Sequence, residues 1–201
     1  GKVLDRVALA LENARLFDQT QYSLMEANRL YLASQVIASA DTIGKLVNEV
    51  LGLLKIDTVD RAFFVSLDEP ETGISTRWAT LLGRWTRDAD DPLMNLPERM
   101  TFTQLPILAS ANPDAVVSGS VMNFAGGFIS DPEMASLMLE TYQVKAVAEF
   151  PLIAGGRTLG WLVMHSTSHA QAFSETDQRF LSSIADQTST ALDSLRLAEQ
   201  A

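Results

Sequence analysis

Residues 149–165 read E-F-P-L-I-A-G-G-R-T-L-G-W-L-V-M-H, and residues 172–192 read A-F-S-E-T-D-Q-R-F-L-S-S-I-A-D-Q-T-S-T-A-L. Two apolar runs meeting at Gly155 and Gly156 predict a hairpin, with strands over 145–154 and 157–168. Phe173, Ser174 and Asp177 then supply a staple residue, a cap and a first-turn acid. The helix they open carries Leu181, Ile184, Ala185, Thr188, Ala191, Leu192 and Leu195 on one stripe.

Successive strand residues face opposite ways. In 145–154 one face carries Ala146, Ala148, Phe150 and Leu152, and the other Val147, Glu149, Pro151 and Ile153. In 159–166 one face carries Gly160, Leu162 and Met164, and the other Trp161, Val163 and His165. A hairpin loop with an odd residue count brings Glu149 and His165 to one face. A two-residue Gly155-Gly156 turn puts them on opposite faces. The sequence leaves both registers open.

Upstream, residues 3–39 contain neither Pro nor Gly and predict one helix of roughly 55 Å. Its 3.5-residue stripe is Val3, Val7, Ala10, Ala14, Phe17, Gln21, Leu24, Asn28 and Tyr31. That pattern fits a coiled-coil seam with two polar register positions, or a helix packed on its own sheet with Gln21 and Asn28 in solvent. A second helix is expected over 42–54 behind an Asp41 cap. Residues 61–68 and 74–87 read as strands around an E-P-E-T-G turn, with Gly83 a point of bending. Residues 88–97 read as an acidic, solvated loop, and 103–111 as a short helix. Residues 116–121 read as a strand, and a helix capped by Ser130 or Asp131 reaches about Gln143. The order is helix, two strands, a helix-rich middle, two strands, helix. That defines an α+β domain with a central antiparallel sheet of five to six strands.

The two ends repeat one another. Residues 10–19 read A-L-E-N-A-R-L-F-D-Q and residues 191–200 read A-L-D-S-L-R-L-A-E-Q, identical at five of ten positions at an offset of 181. Self-similarity at a fixed offset marks repeated modules. The expected division is a connector helix over 1–39 continuing from a preceding module, a domain over 40–195, and the start of an exit connector over 196–201.

Composition narrows the partners. With 201 residues, net charge −10 and no cluster of Lys or Arg, the chain lacks the basic face that nucleic acid or an anionic membrane requires. It has no cysteine, which removes disulfides, thiolate nucleophiles and Cys-ligated metals. No apolar run is long enough for a membrane span and no signal peptide is visible, so a cytoplasmic segment is expected. There is no nucleophile elbow, Walker loop or zinc-protease helix, so a non-catalytic role is expected.

The hairpin and final helix resemble a GAF domain. Pro151 and Leu152 end one strand, Gly160 lies in the next, Phe173, Ser174 and Asp177 open the last helix, and Gln187 and Ala191 lie near its end. The resemblance covers 40–195. It implies a sheet with the chain-end helices on one face and a small-molecule pocket on the other. It also implies a place in multidomain signalling proteins, most often bacterial sensor histidine kinases. Phytochrome-type members carry a pocket His five residues after the Gly, as His165 follows Gly160. Their pigment-linking Cys and its neighbouring His fall at Met134 and Ala135 here, which excludes a covalent bilin. The residue set of cyclic-nucleotide-binding members is missing, and the family's methionine sulfoxide reductases work with cysteines this chain lacks.

The resemblance sets Glu149, Trp161 and His165 on the pocket side, where a carboxylate, an imidazole and an indole suit a polar ligand or simply pair with each other. Phe124 and Phe128 flank Gly126 and Gly127, either closing over the pocket or anchoring a loop in the core. Met134 and Met138 lie one turn apart where pocket cover is expected, and core packing explains them as well. His165 and His169 are too far apart on a strand for one metal. Asp88, Asp90 and Asp91 read as a solvated acidic loop rather than a cation site. No metal and no certain cofactor are expected. The leading expectation is a sensor module that binds an unidentified small molecule and relays its state through its terminal helices in a homodimer. Neighbouring sensor and kinase-type output domains are expected in the same polypeptide. The alternatives are a ligand-free dimerisation spacer with a filled pocket, and a non-covalent haem or metal sensor using His165.

Overall fold

A computed structural model describes residues 1–68, 77–101, 105, 107, 120–123 and 136–199. Phe124, Phe128 and Met134 lie outside them, as do most of the short helix expected over 103–111 and the turn before Trp78. The described elements are α1 (Lys2–Ala38), α2 (Ile43–Leu53), β1 (Arg61–Leu67), β2 (Trp78–Thr86), β3 (Arg99–Thr101), β4 (Ser120–Asn123), β5 (Ala146–Ala154), β6 (Arg157–Ser166) and α3 (Glu175–Glu199). A short 3-10 turn spans Pro92–Asn95 and a π-helical turn Leu137–Thr141.

The strands form one antiparallel sheet ordered β3-β2-β1-β6-β5-β4. The expected α+β architecture is observed, with β3 as an additional edge strand that carries too few residues to leave a period in the sequence. β1 is buried along its whole length because both sheet faces are covered. Ala62 and Phe64 turn toward the helices, together with Ala146, Ala148, Phe150, Leu152, Leu162 and Met164. Phe63 and Val65 turn the other way, with Val147, Trp161, Val163, Leu105, Ile107 and Met138. The alternation read from β5 and β6 therefore describes two separate cores, one on each side of the sheet.

The hairpin combines features that the sequence presents as exclusive. Gly155 and Gly156 form a two-residue turn with φ of +56° and +73°, values that glycine adopts without strain. Yet the ladder pairs Leu152 with Gly160 and Ile153 with Thr158, so Leu159 is an extra residue on β6. This bulge restores the odd count. Val147 lies opposite His165, Glu149 opposite Val163 and Pro151 opposite Trp161, so Glu149 and His165 share a face. The reading that a two-residue turn would separate them is corrected by one bulged residue.

β6 stops at Ser166, two residues before its expected end. The Asp60 carboxylate accepts the N–H groups of Thr167 (2.8 Å) and Ser168 (3.1 Å), which would otherwise continue a ladder. Gly83 does mark an irregularity, since Leu82 is the extra residue between the pairs Phe64–Gly83 and Val65–Leu81. A Cβ at Gly83 would overlap the Val47 and Leu51 side chains of α2, so glycine sets how closely α2 approaches the sheet.

The caps follow local chemistry, with one correction. Thr42, not Asp41, is the N-cap of α2, its hydroxyl accepting from the Lys45 N–H. In α3 the reciprocal capping box forms as read: the Asp177 N–H donates to Ser174 Oγ, and Ser174 N–H to Asp177 Oδ2. The α3 stripe buries Leu181, Ile184, Ala185, Thr188 and Leu192. Only the C-terminal part of α1 joins this core, through Leu30, Ala33 and Ile37. Before that, Arg29 lies over the Phe180 ring at 3.7 Å, Glu26 meets Arg179 at 3.5 Å, and Tyr22 reaches Thr176 at 3.3 Å. Every residue from 1 to 25 is exposed.

Candidate functional site

The candidate site lies on the sheet face turned away from the three helices. β5 and β6 present Glu149, Trp161 and His165 there, all fully buried. By register, Trp161 and His165 are the two diagonal neighbours of Glu149, roughly 7–8 Å away between α-carbons and within reach of long side chains. β1 adds Arg61 opposite His165 and Phe63 opposite Val163. The Phe63 and His165 rings meet edge to face at 5.4 Å between centroids. Met138, from the π-helical turn, is fully buried in the same core. Two residues past the end of that turn, Gln143 has a left-handed φ of 54°. Of the expected site residues, Glu149, Trp161, His165 and Met138 thus meet on one side of the sheet.

His165 is the chemically distinctive member. Its Nε2 lies 2.7 Å from the Ile107 carbonyl oxygen. Burial pushes the imidazole pKa down to about 3, the Ile107 carbonyl opposes the change, and the Arg61 charge adds to it. The ring is therefore neutral at ordinary pH. A carbonyl only accepts, so the single proton sits on Nε2 and Nδ1 carries a lone pair. Among the described residues Nδ1 has no hydrogen-bond partner. A buried acceptor of this kind suits a ligand donor, and it is costly to leave unmatched.

Sequence reading missed the ion pair at the end of the site. Arg61 Nε donates to Asp91 Oδ2 at 2.6 Å, and its Nη1 donates to the Tyr142 carbonyl at 2.8 Å. Both partners of the ion pair are almost fully buried. Asp91 is therefore not part of a solvated loop: it neutralises Arg61 and also caps the 3-10 turn, accepting from Leu93 N–H. Asp88 and Asp90 do remain exposed. The only local signal was Asp91 followed by Pro92, a cap-like dipeptide. Its partner lies 30 residues away and leaves no periodicity. A cleft of about 650 Å³ opens beside this pair, lined by Asp60, Arg61, Arg87 and Tyr142 among others. Among the described residues, no three His, Asp or Glu side chains are grouped to hold a metal ion, and His169 is exposed in the loop after β6.

The comparisons with known proteins agree with this architecture. The GAF domain model matches residues 40–192, and the chain belongs to that family, whose domains are sensory and regulatory modules of signalling proteins. Among solved structures, the chromophore-binding domain of the bacteriophytochrome RpBphP3 from R. palustris superposes with a TM-score of 0.67 at 12% identity, covering 89% of this chain and 63% of that one. The chain thus spans less than two thirds of that relative. The phycocyanobilin-bound GAF domain from a cyanobacterial phytochrome gives a TM-score of 0.65 at 16% identity, covering 86% and 96%. A domain of a putative two-component sensor histidine kinase protein from Sinorhizobium meliloti 1021 gives 0.55 at 14% identity, covering 81% and 100%. At these identities the likeness is one of fold. No curated protein matches the chain in sequence. Among the described residues no helix is long and apolar enough to cross a membrane.

Proposed function

We propose that this domain is a non-catalytic sensor module that takes a small polar molecule on the His165 side of its sheet. It relays occupancy through α1 and α3 in a homodimer within a multidomain signalling protein. The observation that carries the reading is the neutral, fully buried His165, whose Nδ1 lone pair is unmatched among the described residues. Glu149 and Trp161 share its face. A ligand with an N–H or O–H donor would bond Nδ1 and could meet the Glu149 carboxylate. The helices pack on the opposite face, so transmission requires that the ligand favour one of two sheet–helix arrangements.

Native mass spectrometry of the freshly purified protein tests this, followed by thermal shift with a metabolite panel. The expected result is a dimer carrying an added small mass, and stabilisation by at least one metabolite that His165→Gln diminishes. A bare mass with no stabilising metabolite overturns it.

That outcome would favour a ligand-free spacer, which has its own supporting observation. Trp161, Phe63, Ile107 and Met138 are fully buried in one cluster and already fill much of this side of the sheet. A haem-type sensor would use the Nδ1 lone pair, because Nε2 is engaged by Ile107. It predicts a Soret band lost in His165→Ala, and a colourless preparation from haem-replete cells rules it out.

A further inference from the structure

α3 shows what the sequence repeated in α1 is built to do. Within α3, Ile184, Ala185, Thr188, Ser189 and Leu192 are buried, and Ser189 Oγ accepts the Ile153 N–H of β5. Shifted by the repeat offset of 181, these positions fall on Val3, Leu4, Val7, Ala8 and Leu11. All five are apolar, and all five are exposed here. Leu11 is 67% exposed where its counterpart Leu192 is 0%. The correspondence extends to solvent positions, since exposed Asp186 falls on Asp5. It therefore runs beyond the ten-residue stretch in which five letters match. Spacings of three and four place the five side chains on one helix face, and a contiguous exposed apolar face of this kind marks an interaction site.

We infer that Val3, Leu4, Val7, Ala8 and Leu11 are the sheet-docking face of the exit helix of a preceding domain of the same fold. This rests on reading α1 as a connector between modules, and it names the occupant of that face: the helix side of a second antiparallel sheet in the same polypeptide. Charge supports the register. Arg196 donates to Ser66 Oγ of β1 and falls on Arg15, and Asp193, paired with Arg157 at 3.6 Å, falls on Glu12.

The same offset makes a prediction about residues upstream. The α3 cap residues Phe173, Ser174 and Asp177 place an aromatic, a capping residue and an acid nine, eight and five residues before Gly1. The experiment uses cysteine labelling: these 201 residues contain no cysteine, and any cysteine in the added upstream domain is replaced by serine. Leu11→Cys and Leu9→Cys are each prepared in the 201-residue protein and in a chain extended upstream by one domain. Leu9 falls on exposed Thr190 and serves as control. The expected result is that both thiols react rapidly in the shorter protein, and that extension slows Leu11→Cys about tenfold or more while leaving Leu9→Cys unchanged. Equal reactivity of Leu11→Cys in both chains, or an upstream sequence without the cap residues, overturns the inference. Protection of Leu11→Cys in the shorter protein that grows with concentration also overturns it, because a second copy then covers the face. That last result would leave the homodimer standing.

Discussion

His165 links the site to acid stability with a definite sign. Its pKa is near 6.5 in the unfolded chain and about 3 when buried, so the unfolded state takes up the proton first as pH falls. The stability linked to this group is complete above 6.5 and declines toward 3, with a slope of about 1.4 kcal/mol per pH unit. His165→Gln keeps an N–H for the Ile107 carbonyl and cannot titrate. Urea unfolding from pH 7 to pH 4 is expected to show the wild type losing stability faster than the variant. Equal slopes would remove His165 from the acid response. Asp60 acts in a lower window. Burial alone would raise its pKa, but the N–H and hydroxyl donors of Thr167 and Ser168 hold it below the usual carboxylate value. Its stabilisation is therefore complete above that value and lost only at lower pH. The buried Arg61–Asp91 pair is sensitive to truncation of either partner. Asp91→Ala would strand a guanidinium with almost no water contact, costing about 3 kcal/mol or more, and chemical denaturation of the variant would measure it. An effect below 1 kcal/mol would mean that water reaches Arg61 freely.

The hairpin β5–β6 and the helix α3 differ in how far the sequence revealed them. The two strands were legible as near-continuous apolar runs because both sheet faces are buried and each demands apolar residues. The register was not, because the bulge at Leu159 is fixed by contact with a third strand. A Cβ at Gly160 would overlap the Val65 carbonyl oxygen and crowd the Ser66 backbone. β1 therefore seats where only glycine fits, and no local pattern announces a constraint from a strand nearly a hundred residues away. Gly160→Ala is expected to destabilise by about 3 kcal/mol, since the obstructing atoms are backbone and cannot rotate away. A loss below 1 kcal/mol in urea unfolding would mean that the strands separate easily. The α3 start was legible for the opposite reason: its capping box is wholly local. Ser174→Ala should cost about 1 kcal/mol without altering ligand binding. The site was legible where it lies on alternating strands, at Glu149, Trp161 and His165. It was not legible at Arg61 and Asp91, which pair across separate segments and fit no motif.

At the scale of the whole molecule, the helix α1 presents two exposed apolar faces. Leu4, Val7 and Leu11 lie on the side assigned to a preceding domain. About a third of a turn away, Phe17, Leu24 and Tyr31 recur at seven-residue intervals and are all exposed. That spacing keeps side chains facing a partner helix in a left-handed coiled coil. Asn28 in the same stripe would fix the pairing register at some cost in affinity. The C-terminal part of α1 is committed to its own sheet through Ala33 and Ile37, so any pairing of two copies along α1 would fall to the projecting part and to Leu24 and Tyr31. Leu24→Asp places like charges opposite one another in a symmetric helix pair. Sedimentation equilibrium is expected to show a concentration-dependent dimer for the wild type and at least tenfold weaker association for the variant. Leu24 touches neither core, so melting of the variant at a concentration where both proteins are monomeric should be unchanged. If the wild type remains monomeric at high concentration, the stripe is not a self-association seam. The relay through paired helices would then have to be abandoned, even if His165 proves to bind a ligand.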